Sequence, residues 1–185
     1  MILAGLVMSG DQRLTKAGVK YPVDIDLAVK GKEHPYVSRG GLKLAAALDH
    51  FSDIDLTRAT AIDVGSSTGG FTDVLLRAGA ERVYAVDVGH GQLDWGLRND
   101  DRVVVMEKTN ARHLTEELIP EVADIVVCDA SFISLMKVLP ASLERLRPGG
   151  VLAALIKPQF EVGKGQVGKG GVVRDPALHQ AVQDT

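Results

Sequence analysis

One stretch leaves this chain few folds to choose from: Asp63-Val64-Gly65-Ser66-Ser67-Thr68-Gly69-Gly70-Phe71-Thr72-Asp73. It follows an apolar, β-prone run from Ala59 to Val64 and opens into a pattern in which Phe71, Val74, Leu75 and Ala78 share one helical face. A strand that turns through glycines into a helix makes a ligand site. Gly65, Gly69 and Gly70 let the main chain turn tightly and approach a ligand, and the start of the helix offers free N–H groups. About twenty residues further on, a second apolar run, Arg82 to Val86, ends in Asp87, whose carboxylate is placed to take both hydroxyls of a ribose. The two features together predict a nucleoside-bearing cofactor.

Three chemistries compete for such a turn. As a dinucleotide fingerprint it reads G-x-S-x-x-G from Gly65 to Gly70, with Ser67 where a middle glycine would let a pyrophosphate rest on the backbone. As a nucleophile elbow, Gly65-Ser66-Ser67-Thr68-Gly69 satisfies G-x-S-x-G, but on a first strand, with no earlier strand-loop to supply an oxyanion hole. The third reading is an S-adenosylmethionine site, with Asp63 and the glycine turn at the amino-acid end and Asp87 at the ribose.

The rest of the chain alternates in the same way. Further apolar runs at Val103 to Met106, Val122 to Cys128 (followed by Asp129) and Val151 to Ile156 (followed by Lys157) are separated by helical patterns at Gln92 to Leu97, near Arg112 to Leu118, and from Ser134 to Arg147 before Pro148-Gly149-Gly150. Alternation of this kind predicts an α/β fold with a doubly wound, mostly parallel sheet, whose ligands gather at the carboxyl ends of the strands. Asp63, Asp87, Asp129 and Lys157 all stand at such ends. Ahead of the sheet, Ser38 to Phe51 reads as a helix with Leu44, Leu48 and Phe51 on its apolar stripe and Lys43 off it.

Residues 1–30 differ in character. Ile2 to Val7 reads as the last turns of a helix, Ser9-Gly10-Asp11 as a turn, and Asp24 to Val29 as an alternating edge strand; residues 31–37 read as a linker. This piece resembles the second half of an S4 RNA-binding module; an extra hairpin packed on the main domain is the plainer alternative. The net charge of −3 does not advertise a nucleic-acid binder, although Lys157, Lys164, Lys169 and Arg174 lie close together in sequence. The single cysteine, Cys128, cannot form an internal disulfide and points to a reducing, cytoplasmic setting. No apolar run reaches the roughly 18 to 20 residues that span a bilayer, which speaks against membrane insertion. Gly163 to Gly170 nearly matches a phosphate-binding loop, but Gly170 stands where the magnesium-binding hydroxyl is required.

Taken together, Tyr36-Val37-Ser38-Arg39-Gly40-Gly41-Leu42-Lys43-Leu44, the Asp63 to Asp73 turn, Lys157-Pro158-Gln159-Phe160-Glu161 and the glycine-rich tail from Val162 to Pro176 resemble the TlyA family. Its members often carry the label hemolysin but are similar to FtsJ-like ribosomal RNA 2′-O-methyltransferases. The resemblance implies a Rossmann-like methyltransferase domain over residues 38–185 and methyl transfer from S-adenosylmethionine to a ribose of ribosomal RNA, cytidine in the best known cases. It further implies a Lys-Asp-Lys-Glu catalytic group. Its first three members fall on Lys43, Asp129 and Lys157, and its glutamate, with the last two strands of the fold, is expected beyond Thr185. For the cofactor it implies Asp63, Gly65, Ser67, Gly69, Gly70, Phe71, Asp87, Val88, Asn110, Ala111 and Asp129, and it requires no metal. Partners follow as ribosomal RNA and the ribosomal subunits.

Phe132, in Asp129-Ala130-Ser131-Phe132, could stack on a base or pack in the core. That segment lacks the proline-rich turn of enzymes that methylate exocyclic base amines, which favours ribose. Two rivals from other classes stand beside this reading: a non-catalytic RNA-binding protein of the same fold, and a hemolytic, pore-forming protein.

Overall fold

The computed structural model describes the whole chain except Met1, Leu3, Ala4, Ala17, Lys30, Lys32, Glu33, Thr185 and the side chain of Lys164. Two compact units are present, residues 1–35 and 36–185.

The first unit is built on a small antiparallel sheet in the order β2-β1-β3, with β1 Val7–Ser9, β2 Gln12–Leu14 and β3 Ala28–Val29. The helix end expected over Ile2 to Val7 is replaced by a turn, in which Gly5 N donates to Ile2 O, and by β1, which Val7 opens; Leu3 and Ala4 lie outside the described residues. Strand β1 is the centre of the sheet, so the apolar residues Val7 and Met8 are buried between partners on both sides. Of the edge strand expected from Asp24, only Ala28–Val29 pairs.

The second unit carries five parallel strands in the order β6-β5-β4-β7-β8: β4 Thr60–Val64, β5 Arg82–Val86, β6 Val103–Met106, β7 Ala123–Cys128 and β8 Leu146–Ala154. The topological switch lies at β4, which pairs with β5 on one side and β7 on the other. The strands read as unbroken apolar runs because both faces are covered. Ala61, Val83, Ala85, Ile125 and Val127 face one core with Leu44, Phe71, Val74 and Leu75, and Ile62, Val64, Tyr84, Val86, Val126 and Cys128 face the other with Leu114, Ile119, Val138 and Leu139. On the first face sit α1 Gly40–His50 and α2 Gly70–Arg77.

The later helices are shorter than their patterns predict. The Gln92 to Leu97 pattern condenses to α3 Trp95–Arg98, started by the Asp94 side chain, which accepts from Gly96 N. The Arg112 to Leu118 pattern becomes a 3-10 turn over Ala111–His113. The Ser134 to Arg147 helix is split at Pro140 into α4 Leu135–Val138 and α5 Pro140–Leu143, since proline has no N–H for the ladder. It ends early because Leu146 already pairs with Ala123. Pro148-Gly149-Gly150 therefore does not close the helix; it forms an irregularity inside β8, between the Ala123–Leu146 and Ile125–Val151 pairs. Beyond β8 come α6 Pro158–Glu161 and α7 Pro176–Gln183. No helix among the described residues is long and apolar enough to cross a membrane.

Candidate active site

The turn after β4 is shaped by close backbone approach. Gly69 caps α2 at φ +94, and a Cβ there would fall 2.3 Å from Leu97 Cδ1. A Cβ on Gly70 would lie 2.8 Å from Gly41 N, so the Gly40-Gly41 and Gly69-Gly70 pairs allow the starts of α1 and α2 to meet main chain to main chain. Asp73 fixes this arrangement, accepting from Val37 N at 2.9 Å and from Arg77 Nε at 2.7 Å.

Two connected clefts open at the carboxyl ends of the strands. The first, of about 560 Å³, is lined by Ser38, Arg39, Lys43, the 65–68 turn, Asp129 and Lys157. The second, of about 320 Å³, runs past Asp87, Val88, Gln92, Asn110, Ala111 and Phe132. Gly65, Ser67, Asp129 and Ser131 line both, so they stand at the junction. There the Asp129 carboxylate lies between two ammonium groups: Lys43 Nζ at 2.8 Å from Oδ2 and Lys157 Nζ at 2.6 Å from Oδ1. Lys157 Nζ also donates to Ser131 Oγ at 2.8 Å and Asp129 O at 3.0 Å. Ser131 was not picked out by sequence, and a hydroxyl two residues past a strand-end aspartate is the one signal that could have marked it. Lys43, off the apolar stripe of α1 and half exposed, reaches a partner 86 positions away.

The nucleoside-side residues are similarly fixed. Asp87 Oδ2 accepts from Ser67 N at 2.9 Å, and its Oδ1 from Gly89 N at 2.6 Å. Ser67 is held at φ +48 with its hydroxyl donating to Gln92 Oε1, so it meets an amide and not the histidine that a nucleophile elbow needs. Val88 is exposed in the cleft wall, Ala111 is buried, and Asn110 caps the 3-10 turn by accepting from Arg112 N. Phe71 is buried beneath the turn and its edge lines the first cleft.

Asp63 is the residue whose place differs most from expectation. It lines neither cleft and is 1% exposed under the turn, where its Oδ2 accepts from Thr72 Oγ1 at 2.7 Å. Burial pushes its carboxyl up to about 7 against the Thr72 hydrogen bonds, helped by the negative charges of Asp129 and Asp87. It supports the turn from below.

Other candidates resolve structurally. Glu161 Oε1 accepts from Leu135 N at 2.9 Å and so supports the start of α4. Cys128 is buried, and desolvation lifts its thiol to about 11. The 163–170 segment holds a 3-10 turn over Lys164–Gln166, and the next helix starts only at Pro176, so it is no phosphate loop. Phe132 is 90% exposed at φ +67 and packs against Phe160, with ring centroids 5.2 Å apart, so it is not a core aromatic. Among the described residues no three His, Cys, Asp or Glu side chains are grouped to hold a metal.

Residues 36–185 match the family described as FtsJ-like methyltransferase. The chain is 52% identical over 185 residues to the Bacillus subtilis protein YqxC, named as a candidate rRNA methyltransferase, covering 98% of this chain and 64% of that one. It is 56% identical over 150 residues to TlyA of Mycobacterium tuberculosis, named as a 16S/23S rRNA (cytidine-2′-O)-methyltransferase, covering 81% and 56%. A solved structure from Streptococcus thermophilus, described as a candidate hemolysin, superposes with a TM-score of 0.81 at 45% identity, covering 99% of this chain and 67% of that one. The chain thus spans less than two thirds of the length of these curated relatives.

Proposed function

Since the chain belongs to the FtsJ-like methyltransferase family, we propose that it transfers a methyl group from S-adenosylmethionine to the 2′-hydroxyl of a cytidine ribose in ribosomal RNA. The observation that carries this reading is the Lys43–Asp129–Lys157 group at the junction of the two clefts. One cleft offers a nucleoside site beside Asp87, the other, lined by both lysines, an open mouth for the acceptor, and Asp129 lines both.

When bound, S-adenosylmethionine supplies a methyl already activated on a sulfonium, so the protein needs alignment and a destination for one proton more than a leaving-group acid. Asp87, Val88, Asn110 and Ala111 hold the nucleoside; Gly65, Ser67, Gly69 and Gly70 shape the turn at the amino-acid end, with Phe71 and Asp63 supporting it. Lys157, once its resting proton has passed to solvent, would orient the ribose hydroxyl and, as the neutral amine, accept its proton on methyl transfer. Asp129, shared with Lys43, fixes the position of Lys157. The exposed Phe132 ring, backed by the half-buried Phe160, provides a face for a base. Residues 1–30, with their three-stranded sheet, are read as part of an S4-like RNA-binding module. A modifier of ribosomal RNA meets its substrate in the cytoplasm, on ribosomal subunits.

The test is Lys157→Met. Methyl incorporation into ribosomal RNA should fall by at least ~100-fold, within the usual range for loss of a positioned proton-transfer group, while calorimetric binding of S-adenosylmethionine stays within a factor of about two. Methylation at the wild-type rate would sink the assignment.

A further inference from the structure

A second charged cluster lies behind the cleft. Glu107 follows β6 and its side chain is 10% exposed. Its Oε1 accepts from Arg98 Nη2 at 2.5 Å and from Gln92 N at 3.2 Å, and its Oε2 faces His90 Nδ1 at 3.2 Å. It lines neither cleft. The groups that it holds do reach one: Gln92 Oε1 accepts from Ser67 Oγ, Ser67 N donates to Asp87, and Asp87 accepts from Gly89 N. The main chain closes the same circuit, with Lys108 N donating to Gly89 O and Thr109 N to Asp87 O.

We infer that Glu107 is a positioning residue for the nucleoside end of the cofactor site, acting through the 88–92 segment to hold Asp87, Gln92 and Ser67 in binding geometry. The inference rests on the cofactor reading above. The segment needs an anchor, since it contains Gly89 and Gly91 and connects β5 to a helix of only four residues. A carboxylate suits the task because a single group accepts a backbone amide and the Arg98 guanidinium while facing a ring nitrogen of His90. Hydrogen bonds from the Gly91 amide first, then from Arg98 and His90, hold Glu107 at about 2, so the anchor keeps its charge throughout the physiological range. Without it the segment samples other conformations, and apparent affinity falls by the fraction of molecules that remain competent.

The experiment is a double-mutant cycle by calorimetric titration of the full chain with S-adenosylmethionine, using Glu107→Gln and Asp87→Ala alone and together, with amide exchange of residues 88–92 as a second readout. Glu107→Gln should weaken binding about tenfold, as expected if about one molecule in ten stays competent, and should speed exchange in the segment. In the Asp87→Ala background it should cost less than about a further twofold, because residues acting as one unit are not additive. An equal loss in both backgrounds, or unchanged affinity and exchange, overturns the inference while the cofactor reading stands. Failure of the wild type to bind S-adenosylmethionine overturns the cofactor reading and this inference with it.

Discussion

Replacing Asp63 by asparagine should make the protein more stable in neutral and alkaline solution. The carboxyl sits 1% exposed beneath the glycine turn and titrates at about 7 instead of 3.8, chiefly because burial disfavours its charge. The folded state therefore binds this proton more tightly than the unfolded state. The stabilisation that it brings is fully present below 3.8 and is lost as the pH rises through 7. A displacement of that size, at about 1.4 kcal/mol per pH unit, amounts to about 4 kcal/mol. Asparagine keeps an oxygen for the Thr72 hydroxyl and carries no charge, so its stability has no such dependence. The stability of Asp63→Asn minus that of the wild type should then rise by about 3 kcal/mol between pH 4.5 and 9, levelling off above about pH 8. Taking the difference cancels the titrating groups that do not interact with Asp63, and it removes any fixed cost of the new amide from the pH dependence. Denaturant unfolding of both proteins at four pH values from 4.5 to 9 measures it. A flat difference curve would refute the reasoning, since the carboxylate would then be ionised in the fold at no cost.

Two further outcomes follow from the site geometry. Gly69→Ala places a Cβ 2.3 Å from Leu97 Cδ1 at φ +94, so thermal unfolding should show a loss of about 2–4 kcal/mol from overpacking and left-handed strain combined. Phe132→Ala removes an exposed ring held at φ +67, so fluorescence titration should show ribosomal RNA binding weakened by about 1–3 kcal/mol, the usual worth of one stacked base.

The parallel sheet was legible because its strands are buried on both faces: Arg82–Val86 and Val103–Met106 fall where their apolar runs begin and end. The reach of β8 was not, since Leu146 is a strand residue only through its pairing with Ala123, which no local pattern encodes. At the site, Asp87, Asp129 and Lys157 announced themselves as strand-end charges. Lys43 on a helix gave no such signal, and only the family resemblance singled it out. Glu107 gives no signal of its own, since it follows its strand as one more acidic residue and its partners stand at positions 90, 92 and 98. In the sequence Asp63 stands at a strand end just as Asp87 does. The difference is that its position on β4 turns it toward the core on the Ala61 face, under Thr72, where no ligand reaches it directly.

The Lys43–Asp129–Lys157 group leaves one uncompensated positive charge at the mouth of a chain whose net charge is −3. At long range, then, the chain repels a polyanion, and attraction begins only within a Debye length, about 8 Å at physiological ionic strength. Encounter with RNA is not accelerated by the field of this chain as a whole, and the last few ångströms decide capture. Added salt acts in two opposing directions, lowering the barrier to approach while loosening the grip at the lysines, so association and dissociation rates should both rise with ionic strength.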